Sequence, residues 1–179
     1  MRKLKLPPVK YLRECFEYNP ETGQVFWKRR PRKHFSTARI WNSWNGKHAG
    51  NQAFTSRNQT GHSQNFVNGT LYMAHRIIWK LVTGRDPKDQ IDHINRLPAD
   101  NRWRNLREAT HTENTRNRKT QHNNKSGCPG VFQVRTGKWN VSVRDGRKQV
   151  CIGTFETKEE AIQARRAAEQ LHYGEFAPQ

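Results

Sequence analysis

The nine residues from Lys119 to Gly127 (KTQHNNKSG) offer no apolar side chain to a core, and this stretch does most to limit what the chain can fold into. It reads as a linker, so the hydrophobic residues on either side must close separate cores. With 179 residues and 32% hydrophobic content those cores are modest. The expected division is a domain at 1–118, the linker at 119–127 and a second domain at 128–179.

Charge narrows the partners. Lys and Arg total 33 against 15 Asp and Glu, a formal net charge of +18 and a pI near 10.6. That excess points to a polyanion, not to a small-molecule substrate. A membrane partner is not expected, because there is no apolar run of about 18 residues and no signal-peptide core. Six Trp and eight Phe argue against disorder. Cys15, Cys128 and Cys151 are odd in number and widely spaced, which suits a reducing, cytoplasmic setting and supports neither a disulfide framework nor a Cys-built zinc site.

The N-terminal region opens with Val9, Leu12, Cys15 and Phe16 at helical spacing, predicting a short amphipathic helix within 7–18. Gly23 to Lys28 reads as a strand. The run KRRPRKHF, Lys28 to Phe35, is the densest basic cluster; Arg29, Arg30, Arg32 and Lys33 are expected to form an arm that tracks phosphates, the alternative being a solvated charge run. Ser36 to Gln64 is polar and broken by glycines, predicting irregular β structure and loops. Asn68-Gly69 between short apolar runs predicts a two-residue hairpin. Ala74 to Thr83 then carries Ile77, Ile78, Leu81 and Val82 at helical spacing, with His75 and Arg76 at its start.

The chemistry concentrates in Ile91 to Thr110, IDHINRLPADNRWRNLREAT. Asp92 can hold a hard divalent cation, and His93, with an unperturbed pKa of about 6.5, can take a proton from water at neutral pH. An isolated Asp-His pair more often caps a surface turn, so the pair alone decides nothing. Gln90 to His93 is expected to be a short strand with the pair at its exposed end. Thr110 and Glu113 form a capping-box pattern for a helix from about His111 to Lys119, with Asn114 and Asn117 on one face.

From AHRIIW at Ala74, through IDH and Asn105-Leu106-Arg107, to NTRNR ending at Arg118, the chain resembles the ββα-metal core of HNH nucleases. The resemblance implies His93 as general base and Asn105 as the residue that ties the loop ends together and helps to orient it. It assigns Asp92 and Asn114 as protein ligands of one Mg2+ or Mn2+ ion, and Arg107 to DNA. His75, Arg76 and Asn117 are possible accessory residues. The family usually has Gly where Arg96 stands; because Arg resists a positive φ, a reshaped turn is expected there.

Beyond the linker, 130–135, 138–144 and 148–155 read as three strands and 157–172 as a helix presenting Ala161, Ile162, Ala164, Ala167, Ala168 and Leu171 to them. Through SGCPGV, GKWNVSVRD, IGTF and the Ala-rich helix ending at HYGEFA, this segment resembles the AP2 DNA-binding domain. Strand alternation puts Asn140, Ser142 and Arg144 on the outward face that the resemblance implies meets DNA, with Arg135 and Lys148 as further contacts. Phe132, Val134 and Cys151 depart from the pattern, leaving base reading and plain anchoring both open.

The expected fold class is α+β: an HNH core preceded by a β-rich region, then a three-stranded antiparallel sheet packed on one helix. The expected function is metal-dependent hydrolysis of phosphodiester bonds in duplex DNA by a phage-type, free-standing homing endonuclease, monomeric on DNA and working inside a bacterial host cell. The alternatives are a non-catalytic DNA-binding regulator that keeps the nuclease scaffold and, third, a binder of structured RNA.

Overall fold

The computed structural model describes residues 4–118, 120, 123–146 and 148–178. Two compact units divide the chain, Met1–Glu108 and Ala109–Gln179. The helix expected from about His111 therefore groups with the C-terminal unit. Of the expected linker, residues 119, 121 and 122 lie outside the described residues. In its second half the Ser126 hydroxyl donates to Asn124 Oδ1, and the Gly127 N–H donates to the same side chain.

The first unit begins with helix α1 (Val9–Cys15), whose buried face is Leu12 and Cys15. Strands β1 (Phe16–Tyr18), β2 (Val25–Trp27) and β3 (Gln52–Ala53) make one sheet in that order. Between β2 and β3 lies helix α2 (Ala38–His48), where irregular β structure was expected. The Thr37 hydroxyl caps it by accepting from the Ile40 N–H at 3.2 Å. Trp41, Trp44, Asn45 and His48 fall on one face at i, i+3, i+4 and i+7, and Trp44 meets Trp27 edge-on with centroids 4.9 Å apart. The periodicity was present, but Gly46 and the polar residues around the two Trp obscured it.

Strands β4 (Ser56–Arg57), β5 (Ser63–Val67) and β6 (Thr70–Met73) form a second antiparallel sheet. Its hairpin turns at Asn68-Gly69 with φ of 50° and 75°, the doubly positive turn that this dipeptide favours. Helix α3 (Ala74–Thr83) follows, burying Ile77 and Ile78 completely, while Val82, expected on the same face, is 43% exposed. Leu6, Leu12, Phe16, Val25, Trp27, Val67, Ile77, Ile78 and Ile91 share one core. Strand β7 (Gln90–His93) then pairs with β8 (Leu106–Ala109).

The second unit holds helix α4 (His111–Arg116), shorter than expected, with the Thr110–Glu113 capping box formed. Strands β9 (Val131–Gln133), β10 (Trp139–Asp145) and β11 (Lys148–Phe155) make an antiparallel sheet with β10 central, and helix α5 (Lys158–Tyr173) packs on it. Val141, Val143, Ala161 and Ala168 are buried as expected, but Ala167 is exposed and Leu171 is 82% exposed. The buried seam of α5 instead runs through Arg165 and Glu169, one turn apart and ion-paired at 2.8 Å. Chain composition is thus α+β, with small sheets and short helices in both units.

Candidate active site

Both site residues of β7 are buried at 5% exposure, not displayed at an exposed strand end as the sequence suggested. Asp92 owes its position to Arg107 on the neighbouring strand, whose Nε and Nη2 donate to Asp92 Oδ2 at 2.9 and 2.8 Å. The Arg107 side chain, expected to meet DNA, is 13% exposed and paired with Asp92.

His93 Nε2 lies 3.3 Å from Asn101 Oδ1. Because an amide oxygen only accepts, this contact selects the ring form with hydrogen on Nε2 and makes Nδ1 the basic atom. Burial lowers the His93 pKa below its ordinary value; the Asn101 bond pushes the other way, the neighbouring His62 lowers it further, and Asp92 and Asp100 raise it. The lowered pKa favours the neutral ring, the form that a general base requires.

Asn105 was expected to tie the loop ends and help to orient His93. Its Oδ1 accepts from the Asn95 N–H at 2.9 Å and its Nδ2 donates to the Asp100 carbonyl at 2.7 Å, both within the loop. Asn101, which no sequence motif singles out, contacts the His93 ring directly. Asn101 is in turn fixed from the first sheet: the Tyr18 hydroxyl donates to its carbonyl at 2.8 Å, and the Trp103 N–H donates to the Pro20 carbonyl at 3.1 Å. Gly23 permits this approach. A methyl group there would lie 2.5 Å from the Arg102 nitrogen and 2.6 Å from the Asn101 carbonyl carbon.

At the loop's entry Arg96 has φ of 59°. The turn is therefore not reshaped around Arg as expected; Arg occupies the left-handed conformation that Gly would take without strain. Asp100 braces the loop by accepting from Asn95 Nδ2 at 2.6 Å and from Arg102 Nε at 2.7 Å. The bond from Arg102, with further help from Asn95, holds its carboxyl pKa down at about 2.

Two further histidines surround His93. His75, on the first turn of α3, and His62, just ahead of β5, place their ring centroids 5.3 and 5.5 Å from that of His93 and 5.2 Å from each other. Burial drives the His75 pKa well below its ordinary value, with the neighbouring His93, His62 and Arg76 adding to the effect, and burial also lowers that of His62. His62 could not have been found from spacing, since no motif joins it to the other two. Arg76 donates to the Asp89 carbonyl at 3.1 Å, bracing the connection into β7.

Asn114 and Asn117 belong to the second unit, on α4 and at its C-cap, and Asn117 is buried. Among the basic residues assigned to DNA, Arg29, Arg32, Lys33, Arg135, Arg144 and Lys148 are exposed. Arg30 is not. It is 6% exposed, with its guanidinium 4.8 Å from the ring centroids of Phe35 and Trp44 and 5.5 Å from that of Tyr11. Lys33 is exposed but pairs with Glu14 at 2.6 Å. Ser142, expected outward, is buried: a bulge in β11 shifts the register after Val141, Gln149 Nε2 donates to its hydroxyl at 2.9 Å, and Arg165 donates to its carbonyl. Asn140 is half-buried, with its amide 3.3 Å from the Thr154 hydroxyl.

This Asp-His strand end, with its ring-holding asparagine, lies inside the segment that relates the chain to known proteins. Residues 72–116 match the HNH endonuclease family model. An uncharacterized HNH endonuclease of Acanthamoeba polyphaga mimivirus is 32% identical over 105 residues, which is 58% of this chain and 54% of that protein. The chain thus spans about half the length of the curated relative that it matches. No solved structure gives a significant match. The HNH match takes in α3, β7, the loop, β8 and all of α4. Among the described residues no helix is long and apolar enough to cross a membrane.

Proposed function

We propose that the chain is a metal-dependent HNH DNA endonuclease, of the site-specific homing sort, that hydrolyses phosphodiester bonds in duplex DNA. The observation that carries this proposal is the pairing of His93 with Asn101 beside the Asp92 carboxylate, within the segment that matches the HNH family. The donor chemistry fits a hard cation. Asp92 is a buried carboxylate with one oxygen held by Arg107, and oxygen donors of this kind are what Mg2+ or Mn2+ requires.

Asp92 would hold that ion, which when bound would supply positive charge to the phosphate under attack. His93 takes a proton from water at Nδ1 as the water oxygen bonds to phosphorus and the bond to the 3'-oxygen breaks. Solvent protonates that oxygen, giving 5'-phosphate and 3'-hydroxyl ends. Asn101 keeps the ring in the required form, Asn105 holds the loop closed around it, and Arg107 fixes the Asp92 carboxylate.

The exposed Arg135, Arg144 and Lys148 of the C-terminal unit, with Arg29 and Arg32 of the N-terminal unit, supply phosphate contacts that anchor the enzyme. One observation favours the rival non-catalytic regulator: Asp92 already has a counter-ion in Arg107, so the scaffold is satisfied without a metal. Incubating purified protein with supercoiled plasmid and phage DNA, with Mg2+ or with chelator, separates the two. Metal-dependent nicks or breaks support the nuclease, and tight binding without cleavage in any divalent metal supports the regulator.

A further inference from the structure

His62 and His75 have no part in the hydrolytic scheme, and with His93 they form a donor set. One ring nitrogen from each of His62, His75 and His93 lies within 4.8 Å of one from each of the others. His75 Nδ1 is buried without a hydrogen-bond partner among the described residues, an expensive state for a nitrogen that a tautomer change or a small shift would otherwise pair. His62 is pre-set for ligation. The Thr60 hydroxyl donates to Asn58 Oδ1 at 2.8 Å, so its oxygen, 2.8 Å from His62 Nδ1, accepts the hydrogen there and leaves the lone pair on Nε2. A second group that fixes the tautomer in this way is the usual support of a metal-ligating histidine.

We propose that His62, His75 and His93 form a binding site for a transition-metal dication of the zinc class, distinct from the hard-cation ligand Asp92. Three neutral imidazoles with no carboxylate suit Zn2+, Co2+, Ni2+ or Cu2+ and do not suit Mg2+. Ligand nitrogens on one tetrahedral Zn2+ stand roughly 3.4 Å apart, so the rings close by at most about 1.4 Å on binding. His62, half-buried and placed in a turn, has room to make that movement. Three protein ligands leave a fourth position for water or an anion.

Occupancy takes the His93 ring out of proton transfer, so zinc-class ions inhibit cleavage that Mg2+ supports. This consequence rests on His93 being the general base, as proposed above. The binding itself does not.

The test uses full-length, chelator-cleared protein without DNA. Co2+ is titrated while its visible absorption is followed, and Zn2+ is then added in competition, for the parent and for His62→Gln and His75→Gln, with thermal unfolding as the folding check. The expected result is a single saturable equivalent with the spectrum of a low-coordinate nitrogen site, displaced by Zn2+ and weakened in each variant by at least about tenfold, since even outer-shell partners of metal ligands are worth ~10–100-fold. If His75→Gln fails to fold, the half-exposed His62→Gln decides. Absence of saturable binding, or equal binding by parent and His62→Gln, overturns the site. A parallel cleavage assay in Mg2+ keeps the two proposals apart: cleavage without zinc-class binding leaves the nuclease standing and removes the site, and binding without cleavage does the reverse.

Discussion

His93 Nε2 stands 3.3 Å from Asn101 Oδ1, so the ring proposed as the base is held by a side chain from the far arm of its own loop. Asn101→Ala should therefore lower the cleavage rate by roughly ten- to a hundredfold, a part of the ~10²–10⁴ that a positioned base contributes. DNA affinity should stay near the parent value, because Asn101 is buried and uncharged. Asn101→Asp, which keeps an acceptor oxygen, should recover part of the loss. Single-turnover rates alongside gel-shift titrations check this; equal rates for parent and Asn101→Ala would remove Asn101 as a positioning residue.

Gly23 makes the same point from the other side of the contact. Its alanine variant must push against the Asn101 and Arg102 backbone at a φ of 75°. It should lose about 1–3 kcal/mol of stability, the usual penalty of overpacking. It should also lose cleavage at a temperature where it remains folded, since the loop that carries Asn101 moves. Urea unfolding and single-turnover rates on the same preparation measure both.

Arg96 provides a prediction of opposite sign. Its φ of 59° strains a residue with a Cβ, and glycine relieves that strain while adding freedom to the unfolded chain. Arg96→Gly should stabilise the protein by about 0.5–1 kcal/mol net. A lowered unfolding midpoint in urea would show that the Arg96 side chain contributes more than its backbone costs.

Asp100 sets a pH dependence. Its carboxyl pKa is about 2 in the folded protein, below the ordinary 3.8, so the folded state favours the charged form. The stability it contributes is fully present above about pH 4 and is lost as pH falls through about 2. Between pH 5 and pH 2 the parent should lose more stability than Asp100→Asn, whose loop carries no such charge. Parallel pH profiles of thermal unfolding test this, and identical slopes would count against the Asp100–Arg102 pair as a brace.

Local chemistry was legible in the sequence, and long-range geometry was not. The Asn68-Gly69 turn, the Ile77–Ile78 core of α3 and the Thr110–Glu113 cap depend on residues within a few positions of one another, and all three are present. Arg96 was misjudged because the loop, clamped by Asn105 and Asp100, can impose a conformation that the residue itself disfavours. Arg30, the densest point of the basic cluster, is enclosed by aromatic rings from three separate segments, which charge counting cannot foresee. Asn101 and His62 reach His93 only through folding. Leu171 follows Ala164, Ala167 and Ala168 at helical spacing, which predicts a core position, but a buried Arg165–Glu169 pair rotates the packed face of α5 away from it.

The central claim is that His93 is the base of a metal-dependent nuclease, and the most direct measurement is single-turnover plasmid cleavage by parent and His93→Ala in Mg2+, with DNA affinity measured on both. The parent should cut, chelator should stop it, and His93→Ala should bind DNA with nearly the parent affinity while cutting roughly two to four orders of magnitude more slowly. Cleavage by His93→Ala at the parental rate, or parental cleavage that survives chelator, would contradict the account.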